Sequence, residues 1–243
     1  MGVLHRLRLG AQKLGIDILR YPESDPLNPI VKLMHTHGID LVVDVGANDG
    51  GFASAIRRLG YSGSLLSLEP LSRPFGRLRS RAAPDPLWHL RQVAVGDHNG
   101  TLTINVAGNA EASSSALPML DLHKLAAPSS AYIGVETVEQ CRLDDLLSEE
   151  GIAQNQRIYL KLDVQGFEGR VLEGARNLLA SPTLRGLQME LSFVPLYEGA
   201  INWRDGLRIA SAHGMTLMRA VPGFTDMRTG QMLQADVAFY RSS

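Results

Sequence analysis

The chain predicts an α/β fold: a seven-stranded, mostly parallel sheet with an antiparallel edge strand and helices on both faces. Three observations predict it. The run Leu41-Val42-Val43-Asp44-Val45 is short, apolar and rich in β-branched side chains, as in a parallel strand covered on both faces. It enters a glycine turn, Gly46 to Gly51, and then FASAIRRL (52–59), whose apolar residues recur at helical spacing. Short apolar runs then alternate with helical patterns down the chain, the rhythm of β-α-β units.

Residues 1–38 read as an N-terminal helical segment before a domain of 39–243. Its start interleaves Val3, Leu4, Leu7, Leu14, Ile16, Ile18 and Leu19 with Arg6, Arg8, Lys13 and Arg20. These charges interrupt the apolar stretch a signal peptide needs, and no small-residue cleavage site follows. The segment reads as a helix packed on the domain or on a second copy in a homodimer. The alternative is a basic amphipathic segment resting on an anionic membrane surface. Pro26, Asn28 and Pro29 then break the chain before a helix around Ile30 to Thr36. His35 and His37 do not share a helix face, so they read as terminal or solvated rather than metal-binding.

Beyond the first strand and its helix, Ser64 to Leu68 is a second strand, ended by Glu69 and Pro70. Arg73 to Arg81 reads as a basic, exposed helix, Leu90 to Val95 as the third strand and Thr101 to Val106 as an added strand. Residues 107–131, rich in Ala and Ser with Pro118 and Pro128, form an insertion. It is a lid or a surface loop, with His123 as a candidate mobile base. Gly134 to Cys141 is a strand, and Arg142 to Leu147 opens a short helix with its acidic residues early, as the helix dipole favours. Arg157 to Asp163 is the fourth core strand, Glu168 to Ala180 a helix, and Thr183 to Leu191 the fifth strand with Glu190 at its carboxyl end. A helix (Asn202 to His213), a sixth strand (Met215 to Ala220) and a seventh (Met232 to Tyr240), read as the antiparallel edge, complete the domain.

Composition narrows the function. Lys and Arg number 24 against 25 Asp and Glu, so no global field favours a polyanion, and nucleic acid is not expected as a partner. The lone Cys141 fits a reducing cytoplasm. No apolar run approaches the roughly 18 residues of a transmembrane segment. The expected place is the cytoplasm, with peripheral contact at the inner face of the membrane as an option.

Ligands of open parallel sheets bind beyond the carboxyl ends of the strands, which puts Asp44, Glu69, Asp163 and Glu190 on one rim. The glycines at 46, 50 and 51 give G-x-x-x-G-G rather than the G-x-G-x-x-G of dinucleotide enzymes. Gly46 and Gly50 allow a sharp turn and close approach to a ligand. Asp44 suits an ammonium group, and Glu69 is spaced to take two ribose hydroxyls. A carboxylate at Asp163 or Glu190 can deprotonate a hydroxyl. A magnesium ion on those two is the alternative, although no residue is assigned to a metal. Lys161, inside a core strand, points at the site or snorkels at the sheet surface. A nicotinamide oxidoreductase is disfavoured by the glycine spacing. A non-catalytic cofactor-binding module is disfavoured by the clustered carboxylates.

Four blocks, VDVGANDGGFA (43–53), LSLEP (66–70), LKLDVQGFEGRVLEGA (160–175) and LQMELSFVPLYEG (187–199), resemble the FkbM family of S-adenosylmethionine-dependent O-methyltransferases. The resemblance spans residues 39 to about 240 and implies the Rossmann-like class I methyltransferase sheet. It implies that Asp44, Gly46, Ala47, Asn48, Gly50, Phe52, Glu69, Pro70, Ala94 and Val95 hold S-adenosylmethionine, with Ala94 and Val95 beside the adenine. Asp163, Glu168 and Glu190 would face the acceptor. The family pattern Asp-Val-Glu-Gly-x-Glu is matched at Asp163, Gly166 and Glu168, while Gln165 stands in place of the first glutamate and is not a base. The family implies methylation of sugar hydroxyls, and this run is similar to members acting on deoxysugars, fucosyl or rhamnosyl, of cell-envelope glycolipids. A polyketide or another small-molecule hydroxyl is the alternative acceptor.

Overall fold

The computed structural model describes residues 3–17, 21–152 and 156–241. Helices α1 (Val3–Gln12) and α2 (Asn28–Thr36) precede strand β1 (Leu41–Val45). Then come α3 (Gly51–Arg58), β2 (Ser64–Leu68), α4 (Ser72–Ala82), β3 (Trp88–Arg91), β4 (Ala94–Gly96) and β5 (Gly100–Ala107). The insertion carries α5 (Asp121–Ala126) and leads into β6 (Tyr132–Arg142) and α6 (Leu143–Glu149). The second half contains β7 (Ile158–Leu162), α7 (Glu168–Glu173), α8 (Arg176–Ala180), β8 (Leu184–Ser192) and α9 (Trp203–Ala212). It ends with β9 (Met215–Pro222), the short pair β10 (Thr225–Asp226) and β11 (Gln231–Met232), and β12 (Gln234–Arg241).

Seven strands form one sheet in the order β3-β2-β1-β7-β8-β12-β9. The strands from β3 to β8 pair in parallel, and β12 runs antiparallel to both neighbours. The fold class is therefore the expected one, with one displacement: the antiparallel strand sits one place in from the edge, and β9 is the edge. Both sheet faces are covered. Leu41, Val43 and Val45 join one apolar cluster with Leu160, Leu162 and Leu187, while Val42 joins another with Ile56, Leu78 and Tyr159. This is the period-two alternation of a strand buried on both sides. Ile30, Val31 and Met34 of α2 lie in the second cluster, so α2 packs into the domain core.

Three local expectations change. The predicted third strand is two strands: β3 ends at Arg91, and Ala94–Gly96 pairs with β6 in a separate sheet of order β4-β6-β5. The predicted helix 168–180 is broken at Gly174, where a Cβ would stand 1.9 Å from the Gly96 carbonyl oxygen. Asp144 caps the second piece by accepting from the backbone N–H groups of Asn177 and Leu178. Third, of the N-terminal apolar side chains expected to pack on the domain, Leu7 of α1 and Leu14 and Ile16 beyond it are exposed. Ile18, Leu19 and Arg20 lie outside the described residues.

Candidate active site

The first glycine turn is shaped by its own protein neighbours. Gly46 has φ +79°, and a Cβ there would lie 2.0 Å from the Asp163 carbonyl oxygen. Gly50, at φ +81°, leaves room for Leu78 and the Trp88 ring, each within 3 Å of where a Cβ would be. The expectation that both glycines admit a ligand is corrected accordingly. Gly46 lines a cavity, whereas Gly50 yields space to the core. Asn48 adopts φ +48°, which turns its N–H to Glu69 Oε2 at 2.8 Å. Leu71 N–H reaches the other oxygen of Glu69 at 2.9 Å. Each oxygen of Glu69 thus keeps acceptor capacity for a ligand. Burial pushes the Glu69 carboxyl up to about 7, against the pull of those two N–H groups.

Asp44 was expected to meet a ligand ammonium, and it meets an ammonium of the protein instead. It is 1% exposed, and Lys161 Nζ stands 3.1 Å from its Oδ1. The same Nζ is 3.2 Å from Asp163 Oδ2 and lies 5.2 Å from the centre of the Phe52 ring. Burial alone would lower the Lys161 ammonium; the charges of Asp163 and Asp44 outweigh it and hold it above the ordinary lysine value. Lys161 therefore fixes Asp163 at the end of β7, which settles the two open readings of this lysine. Asp44, Ala47, Gly50 and Phe52 sit behind the cavity wall and do not line it.

On the other side, Gln165 occupies the centre. Its Nε2 donates to Asp163 Oδ1 and to Glu190 Oε2, each at 2.9 Å, and its Oε1 accepts from the Tyr197 hydroxyl at 2.8 Å. Gln234 Nε2 also donates to Glu190 Oε2, at 2.8 Å. Glu168 turns away from this group: its Oε1 accepts from the backbone N–H of Val164 and Gly166, so it braces its own turn and does not line the cavity. Burial pushes Glu168 up to about 7. The acceptor-facing role expected of Glu168 is corrected to bracing the Val164–Gly166 turn.

The cavity these residues enclose has a volume of about 410 Å³, within the range of small-molecule sites. Its lining includes Gly46, Asn48, Glu69, Pro70, Ala94 and Val95, together with Asp163, Gln165, Glu190 and Gln234. The insertion supplies a further wall through Asn109 and residues 111–116. It is tied down by Glu111, whose buried carboxylate pairs with Arg73 at 3.0 Å and Arg77 at 2.9 Å of α4. Ser115 Oγ donates to the Gln165 carbonyl at 2.7 Å. His123 lines the cavity but is held rather than mobile: it is 2% exposed between the Tyr197 and Phe224 rings, and burial pulls its imidazole down to about 4. Cys141 is half-buried, its thiol pushed up to about 11 by burial and then by Glu139, which removes it as a nucleophile.

Gln165, Gln234 and the serines of the insertion are the contributions sequence reasoning missed. Gln165 carried a signal, since it stands inside the third block, but an amide was discounted because it is not a base. Among the described residues no group of three or more His, Cys, Asp or Glu side chains is arranged to hold a metal ion. Asp163 and Glu190, the pair considered for magnesium, are bridged by the Gln165 amide. No described helix is long and apolar enough to cross a membrane.

Comparison with known proteins completes the description. Residues 44–233 match the family model described as the methyltransferase FkbM domain. Over 169 residues the chain is 30% identical to the 2-O-methyltransferase NoeI of Sinorhizobium fredii (strain NBRC 101917 / NGR234), covering 68% of each chain. The crystal structure of methyltransferase FkbM from Methylobacillus flagellatus KT superposes with a TM-score of 0.51 at 14% identity over 83% of this chain. The chain spans 44% of the length of that crystallised protein.

Proposed function

Because the chain belongs to the FkbM family of S-adenosylmethionine-dependent O-methyltransferases, we propose that it methylates a sugar hydroxyl, that of a fucosyl or rhamnosyl unit of a glycolipid. The observation that carries this reading is that Glu69 and Asp163 line the same cavity. One supplies a carboxylate for ribose hydroxyls and the other a carboxylate for an acceptor.

The residues present fit S-adenosylmethionine. Glu69 has acceptor capacity left on both oxygens, Gly46 and Asn48 bring backbone to the cavity, and Pro70, Ala94 and Val95 offer an apolar wall for a planar base. When bound, this group supplies a methyl carbon already activated by positive sulfur. Asp44 and Phe52 act behind the wall, through Lys161. Asp163 accepts the proton of the acceptor hydroxyl, and Lys161 holds it in place for that task. The name of the relative, a 2-O-methyltransferase, supports an oxygen acceptor. The sugar rests on the family resemblance and on the polar wall of Asp163, Gln165, Glu190 and Gln234. The lone Cys141 supports work in a reducing cytoplasm, with the inner membrane face as the place where a glycolipid acceptor would be met.

The test is transfer from methyl-labelled S-adenosylmethionine to fucosyl and rhamnosyl glycolipids and their methyl glycosides. Label is expected on a sugar oxygen, and Asp163→Asn is expected to lower kcat by about 100-fold or more, within the usual contribution of a general base. Label that reaches only a non-sugar hydroxyl would overturn the sugar assignment.

A further inference from the structure

One amide holds the carboxyl groups of Asp163 and Glu190 apart and makes them unlike. Asp163 Oδ1 and Glu190 Oε2 both sit 2.9 Å from Gln165 Nε2, which limits their separation to twice that distance. The amide cannot flip without loss, because its Oε1 accepts from the Tyr197 hydroxyl at 2.8 Å. Gln165 itself is held at φ +53°, with Tyr197 packed against the following Gly166.

Apart from this shared amide, the two carboxyls have different partners. Asp163 Oδ2 lies 3.2 Å from the buried Lys161 ammonium and forms an ion pair with it. Glu190 Oε2 accepts two amide hydrogens, from Gln165 and from Gln234 at 2.8 Å, so a proton on Glu190 belongs on Oε1. Burial first, then Asp163 beyond β7, Glu168 of α7 and Asp236 of β12, push Glu190 above the ordinary carboxyl range, against the pull of Lys161. Two neighbouring carboxyls with such unlike partners can divide donor and acceptor roles between them.

We propose that Asp163 and Glu190 are matched to an acceptor bearing two oxygens on neighbouring carbons. Asp163 accepts from the hydroxyl to be methylated, Glu190 donates from Oε1 to the adjacent oxygen, and Gln165 is the positioning residue that sets their spacing. This rests on the methyltransferase reading and narrows its acceptor to a vicinal diol or an equivalent hydroxy ether. A lone alcohol would leave the Glu190 donor unpaired, which is how a hydrogen-bonding site rejects an analogue that lacks one group.

The test uses the full chain in three measurements. Carbon-13 NMR of the side-chain carboxyls, with Glu190 assigned by its loss in Glu190→Gln, is expected to show Glu190 protonated at neutral pH; an ionised Glu190 overturns the proposal. Label transfer to methyl α-L-fucopyranoside is expected to exceed that to its analogue deoxygenated beside the methylated position by at least about tenfold in kcat/KM. Gln165→Met should bring that ratio toward one, a change that mere loss of stability would not produce. Equal rates on the two sugars overturn the proposal, and if neither is turned over the carboxyl titration alone decides. Calorimetry with S-adenosylhomocysteine separates the two levels: binding by the wild type with an ionised Glu190 contradicts only the matched pair, whereas no binding overturns the methyltransferase reading and the pair with it.

Discussion

Glu69 and Glu168 show one physical cause serving two ends. Both are buried, and burial pushes each to about 7. Glu69 faces the cavity, while Glu168 spends its Oε1 on the N–H groups of Val164 and Gly166. A carboxyl raised in the folded state contributes fully to stability below its ordinary value and loses that contribution as pH rises through the folded value. Stability is therefore expected to fall as pH rises from the ordinary glutamate range through about 7. Glu168→Gln keeps an oxygen for the two N–H groups and cannot ionise. It should remove about 3 kcal/mol of that fall, by chemical denaturation on both sides of the transition; an unchanged slope would deny Glu168 this role. The opposite sign applies to ligand binding at Glu69, since a protonated carboxyl offers fewer acceptor sites to ribose hydroxyls. Affinity for S-adenosylhomocysteine should weaken as pH falls through about 7.

At the scale of elements, the turns between strand and helix are fixed by close packing of the chain against itself. A Cβ on Gly46 would overlap the Asp163 carbonyl at 2.0 Å, and the φ of +79° adds strain for any other residue. Gly46→Ala is expected to cost several kcal/mol and to lower the melting temperature sharply. The insertion is a second such element, latched by Glu111 to Arg73 and Arg77. Glu111→Ala should speed proteolytic cleavage within 107–131 while the core strands stay protected, because it strips two cations of a buried partner. These elements also mark how far the sequence is legible. Strands β1, β2 and β7 are readable because burial on both faces leaves short runs dominated by apolar side chains. The break at Gly174 was not, because its cause is the Gly96 carbonyl, 78 residues away in the chain and adjacent only after folding. Asp44 was legible as a residue that meets an ammonium. That the ammonium belongs to Lys161 depends on β1 pairing in register with β7, Asp44 opposite Lys161, which no local pattern states.

At the scale of the molecule, the order β3-β2-β1-β7-β8-β12-β9 brings the ends of β1, β2, β7 and β8 to one side, where Glu69, Asp163 and Glu190 share a cavity. The N-terminal segment stands apart from this arrangement, with Leu7 and Leu9 of α1 and Leu14 and Ile16 after it exposed. A chain shortened to begin at Ser24 should keep its melting temperature; a clear drop would show that the segment packs on the domain or a second copy. The central claim is that the cavity holds the methyl donor through Glu69, and a thermal-shift titration with S-adenosylhomocysteine, with NAD beside it and Glu69→Ala as control, tests it most directly. At 100 times the dissociation constant the ligand should stabilise the wild type by about 2.7 kcal/mol, with no effect from NAD and none in the variant. Stabilisation by NAD instead, or an equal shift in Glu69→Ala, would contradict the account.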